Sequence, residues 1–148
     1  PSPCRIAGAT RCLCEPGALA EESSFVFSTE VLGWRTFANR RELAGALGVT
    51  GMPFNSGNSA REQGISKAGN KRMRAMLIVI AWCWLRYQPK SALSRWFQRR
   101  FATGNGRLRR IGIVALARKL LVALWRYLEE ELMPEGATLK TPKTRAAA

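Results

Sequence analysis

Residues 70–88 read NKRMRAMLIVIAWCWLRYQ, and the reading of this stretch decides the fold. Asn70, or Ser66 just upstream, is a residue type that caps helix N-termini, and Pro89 terminates the helix so opened. The run from Ala75 to Leu85 has no polar residue, which predicts a helix apolar nearly all round and central to the core. At 11 residues that run is too short to span a bilayer, which takes about 20. The first turn is basic. Lys71, Arg72 and Arg74 sit where the helix dipole favours acids, a conflict that a bound phosphate would relieve.

Working outward, Ser91 caps a further helix, SALSRWFQRRFA, with Leu93, Trp96, Phe97 and Phe101 inward and Arg95, Arg99 and Arg100 outward. Thr103-Gly104-Asn105-Gly106 turns the chain. The longest helix runs from Arg107 to Leu132, with Ile111, Val114, Leu121, Leu124, Trp125 and Leu128 on its core stripe and Pro134 beyond its end. Upstream, Asn39 and Glu42 have capping-box spacing, Leu43, Ala46 and Leu47 form one face, and Gly48 stands at C′ of a short helix. Phe25 to Phe37 is a strand or a short helix around Thr29 to Leu32, broken at Gly33. Between the short helix and Asn70 lies VTGMPFNSGNSAREQGISKAG, residues 49–69, with four Gly, three Ser, two Asn and a Pro. This composition predicts a long loop, and a long loop in a compact domain is the first place to look for a site. The expected fold is mainly α: a small helical domain over residues 25–134 with a long Gly/Ser-rich loop. Residues 1–24 carry no periodic pattern, and residues 135–148 read as a flexible tail. Trp82, Trp84, Trp96 and Trp125 all lie in apolar context and read as core fillers.

The 148 residues carry 24 Lys and Arg against 10 acids, a formal net charge of +14, with 47% hydrophobic residues and no His. All ten acids are Glu. A Ser-His-Asp or Cys-His machine, a His-ligated zinc site and an Asp-rich Mg²⁺ site are therefore beyond this chain alone. Cys4, Cys12, Cys14 and Cys83 lack metal-ligand spacing and form no disulfide framework, as expected of a soluble protein of a reducing cytoplasm. The charge is concentrated: residues 49–128 hold 16 basic residues and one acid, Glu62, so this stretch alone is +15. Such a density calls for a polyanion, and the expected partner is nucleic acid. Arg107, Arg109, Arg110, Arg118, Lys119 and Arg126 recur along the last helix with no acid before Glu129 to pair them. With Arg61, Lys67, Lys71, Arg72 and Arg74 they are the candidate nucleic-acid contacts. In the 49–69 segment Ser56 lies in Phe54-Asn55-Ser56-Gly57-Asn58, where a hydroxyl near Arg61 and Lys67 could attack phosphorus. On spacing alone, however, Ser-Gly is ordinary turn chemistry. Ser66 is a helix cap or a phosphate contact.

NRRELAGALGVT, the Ser-Gly segment, REQGISKAGNKRMRAMLI, WLRYQPKSALSRWFQRRF and RLRRIGIVALARKLLVALWRYLE together resemble the C-terminal domain of transposases of the insertion-sequence family numbered 110/116/902. The resemblance covers about Phe25 to Lys140, and GISKAGN and IGIVALARKL are its most specific parts. It implies a site-specific recombinase whose catalytic centre is composite. An N-terminal RuvC-like domain supplies a DEDD set of metal-binding acids, and the C-terminal domain supplies a serine from a Ser-Ser-Gly-Gly-like loop. Carried over, Ser56 takes the position of the second serine, with Asn55 in place of the first and Asn58 in place of the second glycine. Implied partners are DNA, a guide (bridge) RNA, and a homo-oligomer or full-length transposase, with no membrane. Mg²⁺ is expected only with the DEDD domain, which a chain without Asp does not contain. The expectation is a truncated transposase domain that is inactive alone; the alternative is a stand-alone basic DNA- or RNA-binding remnant.

Overall fold

The computed structural model describes Val26, Glu30, Val31 and residues 36–56, 59–130 and 132–138, without the side chains of 52–56, 59–63 and Leu128. The expected irregular segment 1–24, most of the 25–37 stretch, and residues 139–148 lie outside it. Helix α1 spans Arg40–Ala46. Asn39 Oδ1 accepts the N–H groups of Arg41 and Glu42 at 3.0 Å each, and Glu42 Oε2 accepts that of Ala38 at 2.9 Å. Its exit is a Schellman turn: Val49 N–H donates to Ala44 O (3.0 Å), Gly48 N–H to Gly45 O (2.9 Å), and Gly48 takes φ +64°.

Helix α2 spans Lys71–Tyr87, α3 Ala92–Phe101 and α4 Gly106–Glu130. Each opens on a side-chain cap. Asn70 Oδ1 accepts from Arg72 and Met73, Ser91 Oγ from Ser94, and Asn105 Oδ1 from Leu108. At 25 residues α4 is about 37 Å long, and α1, α2 and α3 all pack on it. The core joins Leu43 and Leu47 of α1, Met73, Leu77, Ile80 and Trp84 of α2, Phe97 of α3, and Ile113, Leu116, Leu120, Leu121 and Leu124 of α4, with Val26, Val31 and Phe37.

Two expectations about packing need correction. The middle of α2 is not enclosed all round, because Val79 and Trp82 face outward and Trp82 is 43% exposed. On α4, Ile111 is 53% exposed; the core stripe runs instead through Ile113, Leu116, Ala117 and Leu120, offset from Ile111 by more than a quarter turn. Gly112 is what allows α3 to come so close, since a Cβ there would overlap the Phe101 ring.

The α2–α3 corner is held by a buried polar knot. Trp84 Nε1 donates to Ser91 Oγ (2.8 Å), Ser91 Oγ bonds Ser94 Oγ (3.0 Å), and Ser94 Oγ donates to Gln88 O (2.7 Å). After α4 the chain returns to this corner. Ala92 N–H bonds Glu135 O, and the Gln88 side chain bonds the backbone and hydroxyl of Thr138.

The long loop expected at 49–69 is instead a β-hairpin. Strand β1, Gly51–Ser56, pairs antiparallel with β2, Ser59–Ile65, from Ser56↔Ser59 at the tip to Gly51↔Ile65 at the base. Gly64 is the extra residue of a bulge, since Gly51 pairs with Ile65 and Met52 with Gln63. The base is closed by Ser66 N–H to Thr50 O, Lys67 N–H to Gly48 O and Asn70 N–H to Ala46 O. There the outgoing and returning chains cross backbone to backbone. A Cβ on Gly69 would overlap Ala46 O and Gly48 N, and one on Gly48 would lie 2.6 Å from Gly69 N. Composition hid this hairpin, because Gly, Ser and Asn are poor strand formers. The readable signal was local: Gly-Asn is a dipeptide type that sequence alone reads as a two-residue hairpin turn.

Candidate nucleic-acid interface

Helix α4 buries one face and leaves the other open. The open face borders a broad groove of about 1720 Å³, whose other borders are the hairpin base, the start of α1, Trp96 of α3 and Leu132–Pro134. Helical spacing places Arg107, Arg110, Arg118, Lys119 and Arg126 on this face, interleaved with Ile111, Val114 and Val122. Arg40, Arg41 and Lys67 face the groove from outside α4, which makes eight cations and no carboxylate among the described lining residues. Ion pairs elsewhere among the described residues join Arg72 to Glu30 (3.2 Å) and Arg95 to Glu135 (3.9 Å), and neither reaches a groove cation. Lys119 Nζ lies 4.6 Å from the centroid of the Trp96 ring, and Phe101 meets the same ring edge-on at 5.6 Å. Ser66 Oγ accepts the N–H of Ala68 at 3.2 Å, so this serine holds a turn at the hairpin base while lining the groove. Lys67 follows it in the left-handed region, φ +58°, a conformation costly for a side-chain-bearing residue and retained here by the hydrogen-bonded base.

Lys71 apart, the residues singled out from sequence divide into three groups. Lys67, Arg107, Arg110, Arg118 and Lys119 meet in the groove. Arg72, Arg74 and Arg109 have partners within the chain away from the groove, whereas the partner of Lys119, Trp96, lies in it. Glu30 accepts from both Arg72 and Asn70 Nδ2 (2.6 Å) at the N-terminus of α2, so a carboxylate already answers the dipole conflict for which a phosphate was expected. Arg74 donates to Leu47 O (3.3 Å) across the hairpin base, and Arg109 lies 5.8 Å from the Trp82 ring. Lys71 is exposed in the first turn of α2 and does not line the groove. The third group is on the hairpin: Arg61 pairs with Phe54, and Ser56 ends β1 opposite Ser59. The side chains of both are outside the described residues, as are Gly57 and Asn58 altogether. Five strand steps separate Ser56 from Gly51 at the groove rim, about 17 Å of extended chain.

Sequence reading missed Arg40 and Arg41, because residues 1–48 balance five bases against five acids and the average hid the pair. The usable signal was the short helix itself and covers Arg41 alone: with Leu43 and Leu47 facing the core, Arg41 points elsewhere, whereas Arg40 shares their stripe by spacing. The tryptophans divide as well. Trp84 is fully buried, Trp82 is open beside Arg109, Trp96 walls the groove, and the half-buried Trp125 keeps a buried Nε1–H without an acceptor among the described residues. Among the described residues no group of three or more His, Cys, Asp or Glu could hold a metal ion. The described residues do not suit a catalytic metal. No helix of the described residues is long and apolar enough to cross a membrane.

Comparison with known proteins gives this geometry a family. Residues 20–96 match the model of the Transposase IS116/IS110/IS902 family, which takes in α1, the hairpin, α2 and half of α3. Two proteins of Sinorhizobium fredii (strain NBRC 101917 / NGR234) that are named as transposases are similar. One, y4rJ, is 52% identical over 109 residues, covering 73% of this chain and 28% of that protein. The other, y4qE, is 37% identical over 68 residues, covering 46% of this chain and 17% of that protein. The chain thus spans less than a third of either relative. It belongs to the IS116/IS110/IS902 family of transposases.

Proposed function

We propose that this chain is the nucleic-acid-binding, serine-bearing C-terminal part of an insertion-sequence transposase, acting in DNA transposition as a site-specific recombinase. The observation that carries the reading is the groove: eight cations with no carboxylate among its described lining residues, continuous with the base of the hairpin on which Ser56 stands. Cations without intramolecular acids lower their mutual repulsion by taking up a polyanion, with release of its counterions. The natural ligand in this family context is DNA, with a guide (bridge) RNA as a second candidate. In the proposed role Ser56 is the nucleophile at the strand being cut. A serine hydroxyl is a weak nucleophile without a base or a metal. The acids for that step come from outside these 148 residues, from a full-length transposase, and these 148 residues alone are inactive.

The test is complementation. A full-length family member with its own serine replaced should regain recombination when this chain is added, and lose it again with Ser56→Ala, while nucleic-acid binding stays unchanged. The lack of any metal-holding cluster among the described residues favours a second reading, a basic DNA- or RNA-binding remnant with no catalytic part. Binding that falls steeply with salt, together with no rescue, selects the remnant; absence of binding at low salt removes both.

A further inference from the structure

We infer that Arg74 is a positioning residue for Ser56: by tying α2 to the end of α1, its guanidinium sets the angle at which the hairpin leaves the helical core. This rests on the Ser56 reading above and adds a residue to it. Backbone carbonyls in a packed crossing need donors, and at the hairpin base they are answered in turn. Ala44 O accepts Val49 N–H, Gly45 O accepts Gly48 N–H, Ala46 O accepts Asn70 N–H and Gly48 O accepts Lys67 N–H. Leu47 O, at the C-cap of α1, is answered by a side chain, Arg74 Nη1 at 3.3 Å. A cation is favoured at a helix C-terminus, so the charge that is misplaced near the start of α2 is well placed at the end of α1.

Arg74 reaches this carbonyl because Gly48 has no side chain: a Cβ there would stand 3.0 Å from Arg74 Nη1. The bond from Asn70 N–H to Ala46 O already joins the N-cap of α2 to α1. Arg74, a helical turn further on, adds a second attachment, and two attachments fix an angle where one leaves a pivot. Both rest on rigid ground, since Met73 and Leu77 of α2 and Leu43 and Leu47 of α1 are fully buried. The angle matters because the hairpin is a lever. With Ser56 about 17 Å of extended chain from the base, a tilt of about 4° moves it by about 1 Å, and a misplacement of about 1 Å at a reacting atom is enough to cost about 10²-fold in rate. Arg74 is half-buried and is not among the described lining residues of the groove. It therefore acts on the reaction through the hairpin, without touching the nucleic acid held there.

The experiment runs the complementation assay with the whole chain over a range of chain concentrations, together with amide hydrogen exchange on the same proteins. Arg74→Met should lower the maximal recombination rate by about 10²-fold, while the chain concentration for half-maximal rescue stays within about threefold of wild type. Arg74→Lys, which keeps a charged donor, should regain at least about tenfold of that loss. Arg86→Gln, which removes an exposed charge from the other end of α2, should behave as wild type. In Arg74→Met the amides of the hairpin, residues 51–65, should exchange faster, while those of Leu116, Leu120 and Leu124 in α4 stay as slow as in wild type. An unchanged maximal rate in Arg74→Met overturns the positioning role. So does a loss shared by the half-maximal concentration and by exchange throughout α4, because Arg74 would then only hold the fold together. If the wild-type chain gives no rescue, the Ser56 reading fails, and the exchange measurement alone decides whether Arg74 holds the hairpin: equal hairpin exchange in wild type and Arg74→Met overturns that as well.

Discussion

Leu116 and Leu120 of α4 are fully buried, whereas Arg118 and Lys119, a residue or two away, stand exposed in the groove. The two faces share one backbone but are under opposite physical demands. The inner face joins α1, α2 and α3, and its burial offsets the entropy lost on folding. The outer face gains little from folding. Two like charges 10 Å apart in water repel by about 0.4 kcal/mol before salt screening, and no acid in the described lining offsets this. One face therefore sets stability and the other sets partner choice, and substitutions should separate along that line. The largest effect belongs to the inner face. Leu116→Ala should cost about 2–5 kcal/mol of unfolding free energy, read as a shift in urea midpoint at constant m-value. A cost under about 1 kcal/mol would mean that α4 is not the hub of the core.

The hairpin base offers a comparison of the next size. Gly69→Ala puts a Cβ against the Ala46 carbonyl and the Gly48 amide, where backbone has to move, and should cost about 1–3 kcal/mol. Gly45→Ala, three residues before Gly48 on an exposed turn of α1, meets nothing within 4 Å and should stabilise by about 0.5–1 kcal/mol through helix propensity. Thermal unfolding of the two variants checks the pair. Equal effects would show that the crossing of the chains at Gly48 and Gly69 does not anchor the hairpin.

The helices were legible because their signals are local and redundant. Asn39, Asn70 and Ser91 cap α1, α2 and α3 as their sequence positions predict, and Gly48 and Pro89 end the helices they follow. The hairpin was not, because its arms have weak strand propensity and its pairing depends on closure at a distant base. That closure is set by Gly48, Gly69 and the Arg74 bond to Leu47, three contacts that no period reveals. The site was half legible. Periodicity put Arg107, Arg110, Arg118 and Lys119 on one helix face, but whether a cation is free or spent depends on tertiary partners. Glu30 reaches Arg72 from 42 residues upstream, and Trp82 reaches Arg109 from another helix. The registration error at Ile111 has the same origin. A mixed stripe of isoleucine, valine and arginine can be read as either face of α4, and only packing against Phe101 at Gly112 decides which one turns inward.

The smallest stability effect is the sharpest test of the division between faces. Arg118 is exposed, lines the groove and has no ion pair among the described residues, so Arg118→Gln removes repulsion and no attraction that the structure displays. Its effect on unfolding free energy at low salt should be neutral or stabilising, within about 0.5 kcal/mol, and should vanish as salt shortens the screening length. With a saturating polyanion such as heparin, the wild-type chain should gain melting temperature by linkage, and Arg118→Gln should gain less. The order of the two proteins should therefore invert: the variant is equal or higher without polyanion and lower with it. A variant that is less stable than wild type in both conditions would place Arg118 among the residues that hold the fold together. The groove would then be part of the scaffold, and the separation of the two faces of α4 would fail.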